Sequence, residues 1–569
     1  MSFKKVLKNF FLTPKGQGSA WKIICQIVLV VTIAVGFVFA FSNYVPFSMD
    51  EFIQYHALSC LYYPLNKANT FREACHVHDL AIFSECYWPL RSFDYVGSAP
   101  GLIYFPLFKV WPSPYSARFL GLLFLMVQAL CLRRLFKINF FVSFFGLLIF
   151  MPYAFQHVVD TGVAAIQLTS VFLVCCLTRA WMMALKESRM SWLYPLWIGL
   201  VLFFCFWIKV AYLFMLPGIF VLMLYEVYVH RSALLSKGNK RFFLAQGVLL
   251  ASVAGGLGWM LFNASSRWGI KYGYVIRQSP RIAWTNMEEA FRNFTENIAP
   301  YFMDPMRAAH YIFEMPESRG WTIWGILFVA VVVLLVVAGL VKRILKKEPV
   351  GGIVAGVSAF VLTIFIMSFS PKVWAMHHVV LSLPFLLFGI FHSIGKYKID
   401  NHTFLHGRIE DVSRSKMKGE LSCVFAKCGR DKLILLLAVV FLVVNVKLYS
   451  GLPYLPHKEM NHHSNVRLNA YLNKRFNGPY VFVVLNWGLY YIKALYGHKD
   501  QSVVYVDPLQ NQDEIDRLKK ILRDTQRKAV FVLRSDAGKS LFLLRDTFPH
   551  LAQVKIDFDT GKWLVWCER

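Results

Sequence analysis

Long apolar blocks separated by short basic segments organise this chain. Blocks of roughly 20 residues, enough to cross about 30 Å of hydrocarbon as helices, fall at 21–41, 115–135, 139–157, 161–184, 192–208, 210–229, 242–262, 321–341, 350–369, 374–395 and 432–449. They predict a polytopic α-helical membrane protein of about eleven transmembrane helices. The pattern changes after about residue 450. "PYVFVVL", "SVVYV", "KAVFVLR" and "AQVKIDF" are short β-branched runs, with helix-like segments such as "NQDEIDRLKKILRDTQ" between them. Strands alternating with helices predict a small α/β domain with a largely parallel sheet. The expected division is a transmembrane domain over 1–450, with large external loops at 42–114 and 263–320, and a soluble extracytoplasmic α/β domain over 451–569.

Composition agrees with this pattern. Hydrophobic residues make up 57% of the 569 and charged residues only 17%, less charge than a soluble chain of this size carries. The net charge of +28 raises the question of a nucleic-acid partner, and its distribution argues against one. Lys and Arg cluster in "FKKVLKNF", "RRLFK", "HRSALLSKGNKR", "VKRILKKE" and the 395–420 segment, which fall on one side if alternate loops are cytoplasmic. The expectation is an integral protein of a bacterial inner (plasma) membrane, N-terminus cytoplasmic and C-terminal domain external. The first apolar run is too long for a cleaved leader and has no small-residue cleavage site.

The cysteines divide by place. Cys25, Cys131, Cys175, Cys176 and Cys205 fall in apolar blocks and read as small core residues. Cys60, Cys75 and Cys86 share the first external loop, where two of them could pair, and the sequence leaves the choice open. Cys423 and Cys428 have no second pair of ligands nearby, and "CHVHD" at 75–79 has no diagnostic metal-ligand spacing.

Chemistry is expected where polar groups stand beside the spans. Asp50 and Glu51, in "FSMDEF", come just outside the first apolar block, and Asp160 lies at the turn between the third and fourth. Each could be a solvated loop acid; a partly desolvated carboxylate could instead serve as a base. Lys209, in "FFCFWIKVAYLFMLPG", has no acid near it in sequence, and such a cation needs a cavity, an anion or a snorkelling route to water. Lys372, His377 and His378 stand at the entrance of the tenth block. Arg277 belongs to an external loop unusually rich in Arg, where either a phosphate-bearing substrate or acids of the same loop could be the partners.

In order and spacing these features resemble the GT-C glycosyltransferases, in particular the protein O-mannosyltransferase and aminoarabinose transferase-like branch. The resemblance runs over roughly residues 20–395. It rests on the Asp-Glu pair, on "GSAPGLIYFPLFKVWPSPYSARFLGLLF", on Asp160, on "GLVLFFCFWIKVAYLFMLPG" and on "HHVVLSLPFLL". No single motif is specific; the order carries the likeness. Arg118 and Lys209 match an arginine and a lysine of that branch. The chain departs from it at Ser98, Ala99, Pro100 and Gly101, where relatives have Lys-Pro-Pro, so a donor-phosphate contact is missing there.

The resemblance implies a transferase that moves a sugar from a polyprenyl-phosphate-linked donor to a hydroxyl of a lipid, glycan or protein acceptor at the outer membrane face. It assigns Asp50 as general base and Glu51 or Asp160 to orient the acceptor or hold a divalent metal ion. Lys209, Arg118, Arg277, Lys372, His377 and His378 are assigned to substrate. Besides donor and acceptor the expected partners are membrane lipids, with no nucleic acid. The rival reading is a transporter or flippase of a lipid-linked or anionic substrate, which would use Asp50, Asp160 and Lys209 as a relay. A non-enzymatic envelope assembly protein, with the tail as binding module, is a third.

Overall fold

The computed structural model describes residues 80–83, 86–88, 91–93, 96–97, 99–111, 114–138, 140–149, 164–187, 191–234, 237–259, 281–303, 323–371, 376–394, 461–497, 500–505, 512–535, 538–554 and 563–568. Nine of the eleven predicted blocks coincide with described helices, and the blocks at 21–41 and 432–449 lie outside the described residues.

Two short hairpins come first: β1 (Leu80–Phe83) with β2 (Cys86–Trp88), and β3 (Arg91–Phe93) with β4 (Val96–Gly97). The helices α1 (Ala99–Val110), α2 (Pro114–Phe136), α3 (Phe140–Ile149), α4 (Ala164–Lys186) and α5 (Leu193–Ile208) follow. After a 3₁₀ turn at Val210–Phe214 come α6 (Leu216–Val229) and α7 (Lys237–Ala251). Beyond them are α8 (Met287–Asn293), α9 (Ile323–Leu345), α10 (Gly351–Ser368) and α11 (Leu383–Ile394). Four described helices, Tyr115–Phe136, Ala164–Lys186, Gly238–Trp259 and Gly351–Ser368, are long and apolar enough to cross a membrane. With the composition, this makes the chain an integral membrane protein.

The helices pack as lipid-embedded helices do, through small residues and buried polar contacts. At Gly356 of α10 an added Cβ would stand 2.5 Å from the Gly389 nitrogen of α11, so the two backbones approach as only glycine allows. A polar clasp ties one end of the bundle. Arg179 of α4 grips Glu226 of α6 with two hydrogen bonds, Nε at 2.9 Å and Nη2 at 2.8 Å, and its Nη1 donates to the Leu135 carbonyl of α2 at 2.6 Å. The Tyr225 hydroxyl is 2.9 Å from Nε2 of His392, whose carbonyl accepts from Arg343 of α9 at 2.5 Å. Five helices meet there.

The tail builds α12 (Asn461–Arg475), β5 (Val481–Val484), α13 (Trp487–Tyr496), β6 (Ser502–Tyr505), α14 (Gln512–Thr525), β7 (Ala529–Arg534), α15 (Gly538–Thr547), β8 (Leu551–Val554) and β9 (Trp563–Glu568). All four predicted strands are present. The sheet is mixed, not largely parallel. In the order β6-β5-β7-β9-β8, β5 pairs parallel with β6 and β7, whereas β9 runs antiparallel to both β7 and β8. The strand "WLVWCE" accounts for the difference. It follows β8 through a segment too short for a crossover helix, and antiparallel neighbours need none.

Successive strand residues point to opposite faces. Val481, Val483, Phe531 and Leu533 bury against Ile515, Leu518, Leu544 and Phe548 of α14 and α15 and the residue after them. Phe482, Val484, Val530 and Val532 face Leu468 and Leu472 of α12 and Leu489 and Ile492 of α13. That second core is completed by residues from the start of the chain. Tyr104 and Phe108 of α1, with Ala117 and Leu120 of α2, are buried in it, and the rings of Phe108 and Tyr496 lie 5.7 Å apart. α1, at 12 residues, is too short to span, as expected. Two of its largest apolar side chains serve the tail instead of lipid.

Within this core Lys493 is fully buried. Its ammonium donates to Asn473 Oδ1 and, at 2.6 Å, to Gln501 Oε1, and sits 3.8 Å from the centroid of the Phe482 ring. Burial pushes its pKa well below the ordinary lysine range. Between that lowered value and the ordinary value of about 10.4, the unfolded chain holds a proton that the folded chain releases. This contribution to stability is therefore full above the unfolded pKa and is lost as pH falls toward the folded one. Melts of the full-length protein in detergent should show wild type gaining on Lys493→Met as pH is raised from 7 towards 10. A gap independent of pH would contradict this.

Candidate active site

The predicted cation Lys209 lies at a break in the helical path. α5 ends at Ile208, Lys209 is extended (φ −157°, ψ 134°), and the chain re-enters helix through the 3₁₀ turn. Non-helical backbone at membrane depth persists only where protein or a water-lined cavity satisfies its polar groups. Here a side chain from α4 does so. Gln167 Nε2 donates to the Cys205 carbonyl at 3.0 Å and to the Lys209 carbonyl at 3.1 Å. The neighbouring Ser170 hydroxyl donates to the Gln167 carbonyl at 2.6 Å and stands 2.8 Å from the Tyr212 hydroxyl in the 3₁₀ turn. Gln128 of α2 extends the polar string by donating to Thr169 at 2.9 Å.

Lys209 is only 8% exposed, and its charge acts on His378. Lys209 and His378, far apart in sequence, are thus within electrostatic reach of one another. His378 belongs to the helix Met376–Val379, followed by a 3₁₀ turn into α11. Arg118 is fully buried in the first turns of α2. Next to it Ser116 hydrogen-bonds the Tyr104 hydroxyl at 2.5 Å, and Ala117 and Leu120 pack into the core shared with the tail. The hairpin and helix that precede α2 reach the helix that ends at Ile208, because both β4 and α1 pack against α5.

Asp50, Glu51, Asp160, Arg277 and Lys372 lie outside the described residues, as does the side chain of His377. Among the described residues no group of three or more His, Cys, Asp and Glu could hold a metal ion. Sequence reading missed Gln167, Ser170 and Tyr212. Their signal is faint: an amide and a hydroxyl inside an otherwise apolar block, with partners about 40 residues downstream.

No protein-family model matches the sequence, and no curated protein does. Solved structures similar to this chain include two of one protein. One is ArnT from Cupriavidus metallidurans bound to undecaprenyl phosphate, with 14% identity and a TM-score of 0.43 over 95% of this chain and 98% of that one. The other is the same protein in the apo state, with 13% identity and a TM-score of 0.46 over 96% and 98%. At these values the likeness extends to no residue correspondence.

Proposed function

We propose that this protein is a membrane glycosyltransferase of the GT-C type. It moves a sugar from a polyprenyl-phosphate-linked donor to a hydroxyl of a lipid, glycan or protein acceptor at the outer face of the membrane. The observation that carries the reading is Lys209: a buried lysine in a helix break, within electrostatic reach of His378. A desolvated cation there favours an anion, and the phosphate of a lipid-linked donor supplies one at membrane depth.

In the proposed reaction the acceptor oxygen attacks the anomeric carbon while Asp50 takes the acceptor's proton. The bond from that carbon to the phosphate oxygen breaks, and its electron pair leaves with polyprenyl phosphate. Lys209 and His378 stabilise the charge that develops on the departing phosphate, where fixed cations and donors lower the barrier most. Arg118, Arg277, Lys372 and His377 are assigned to substrate binding, Glu51 and Asp160 to support of the acceptor. Residues 1–450 form the transmembrane domain, with the N-terminus cytoplasmic, and 451–569 the external domain, which assists without supplying the base.

The test is release of free polyprenyl phosphate by purified protein given lipid-linked sugars. Lys209→Met should weaken binding of such a donor while the protein stays folded in detergent; unchanged affinity would return Lys209 to a snorkelling role. A broken helix also suits a transporter of the same anionic lipid. Movement of intact donor across a vesicle membrane, with no glycosylated product, would favour that second reading.

A further inference from the structure

We infer that Gln167 is a positioning residue for Lys209, holding the helix break, and with it the backbone that carries the lysine, in one conformation. The inference rests on the proposed role of Lys209 as a donor-phosphate contact.

The geometry is that of a clamp. The carbonyls of Cys205 and Lys209 belong to opposite sides of the break, one in the last turn of α5 and the other on the extended residue itself. Each has a backbone partner of its own. Lys209 N–H donates to Cys205 at a long 3.4 Å, and Tyr212 N–H donates to Lys209 at 3.0 Å. The single amide nitrogen of Gln167 adds a bond to each, so rotation of the Lys209 peptide would break the Gln167 bond to its carbonyl along with the Tyr212 one. The orientation of the amide is fixed by its surroundings, since turning it over would set its oxygen against two carbonyl oxygens.

Gln167 is fully buried, and its Oε1 is buried with no hydrogen-bond partner. An unpaired buried acceptor disfavours the fold. An apolar residue at 167 would avoid that cost. The residue is therefore accounted for by its nitrogen, not by its bulk. Gln167 also carries its own support: Ser170 binds its carbonyl and links it to Tyr212 in the turn that follows the break.

The test joins a chemical readout with a double-mutant cycle. Gln167→Met keeps the volume and removes the donor. Gln167→Asn keeps the amide but shortens its reach, and serves if the first variant does not fold. Cys205 is buried beside the clamp, and Cys131 and Cys176 are buried away from it. Small-maleimide labelling of the full chain in detergent, resolved by mass spectrometry, should then rise at Cys205 and stay low at Cys131 and Cys176. Equal rises at all three sites in both variants, or none at Cys205, would overturn the clamp.

In the same variants turnover should fall on the order of 10²-fold, the cost of a misplaced contact. The loss should vanish against a Lys209→Met background, because two residues acting as one unit are not additive. Full additivity would overturn the positioning role. Normal turnover and donor binding in Lys209→Met itself would overturn the proposed function, whatever the labelling shows about the clamp.

Discussion

Asp50→Asn is expected to cut turnover by roughly 10²–10⁴-fold, the usual contribution of a positioned general base. Asparagine keeps the size and most of the hydrogen bonding of aspartate and loses only the ability to take a proton. The defect should therefore fall on kcat, with donor binding little changed, because in the proposed reaction the donor phosphate is held by cations such as Lys209. Glu51→Gln should cost less. If Glu51 holds a divalent ion, adding that ion should alter the Glu51→Gln defect and leave the Asp50→Asn defect as it was. Expression and melting must be followed in parallel, since a misfolded variant imitates a dead one. A well-folded Asp50→Asn enzyme with near-normal turnover would make the first acid of "MDEF" a solvated loop residue and move the search for the base to Asp160.

The largest expected effect on stability belongs to Glu226, at the opposite functional extreme. Its carboxylate is fully buried and gripped twice by Arg179, whose side chain is 17% exposed. His230 stands by it, with Nδ1 3.0 Å from the Glu226 carbonyl and 3.8 Å from its carboxylate. Glu226→Leu strands a largely buried guanidinium, and breaking such a pair costs about 3–5 kcal/mol. The double variant Arg179→Met with Glu226→Leu should recover much of that loss, because an apolar pair of similar volume is often as stable as the ion pair. Thermal melts in detergent decide it. A double variant as unstable as Glu226→Leu alone would show that the clasp depends on more than this pair, with the Leu135 carbonyl the first candidate.

Much of the bundle is legible in the sequence because lipid demands a signal that composition can carry. An apolar block near 20 residues long has few alternatives to a helix, and nine of the predicted blocks coincide with described helices. Lys209 was legible for the same reason: a cation inside an apolar block needs explaining wherever it folds. The clasp was legible in principle, since Arg179 and Glu226 are the same kind of anomaly in two different blocks. Pairing such residues across blocks would have joined them.

Gln167 was not legible. A lone amide in an apolar helix announces a polar contact without saying to which carbonyl. β9 escaped notice because "WLVWCE" is short and aromatic and lies beyond the strands that alternate with helices. The tail's use of Tyr104 and Phe108 was hidden differently. An apolar, proline-bearing segment after an external loop reads as a helix resting on lipid, and nothing local says that a sheet from the far end of the chain will cover it.

That shared core bears on how the protein is made. During synthesis α1 emerges early, and Tyr104 and Phe108 then wait while the rest of the bundle is inserted. Their partners are translated far later, Trp563 and Val565 of β9 among them. Contacts so distant in sequence carry a large loop-closure cost and form late, and waiting apolar surface is what chaperones and proteases recognise. Synthesis of β9 is thus also the step at which α1 is hidden, and a ribosome that stops short of β9 leaves a marked, degradable intermediate.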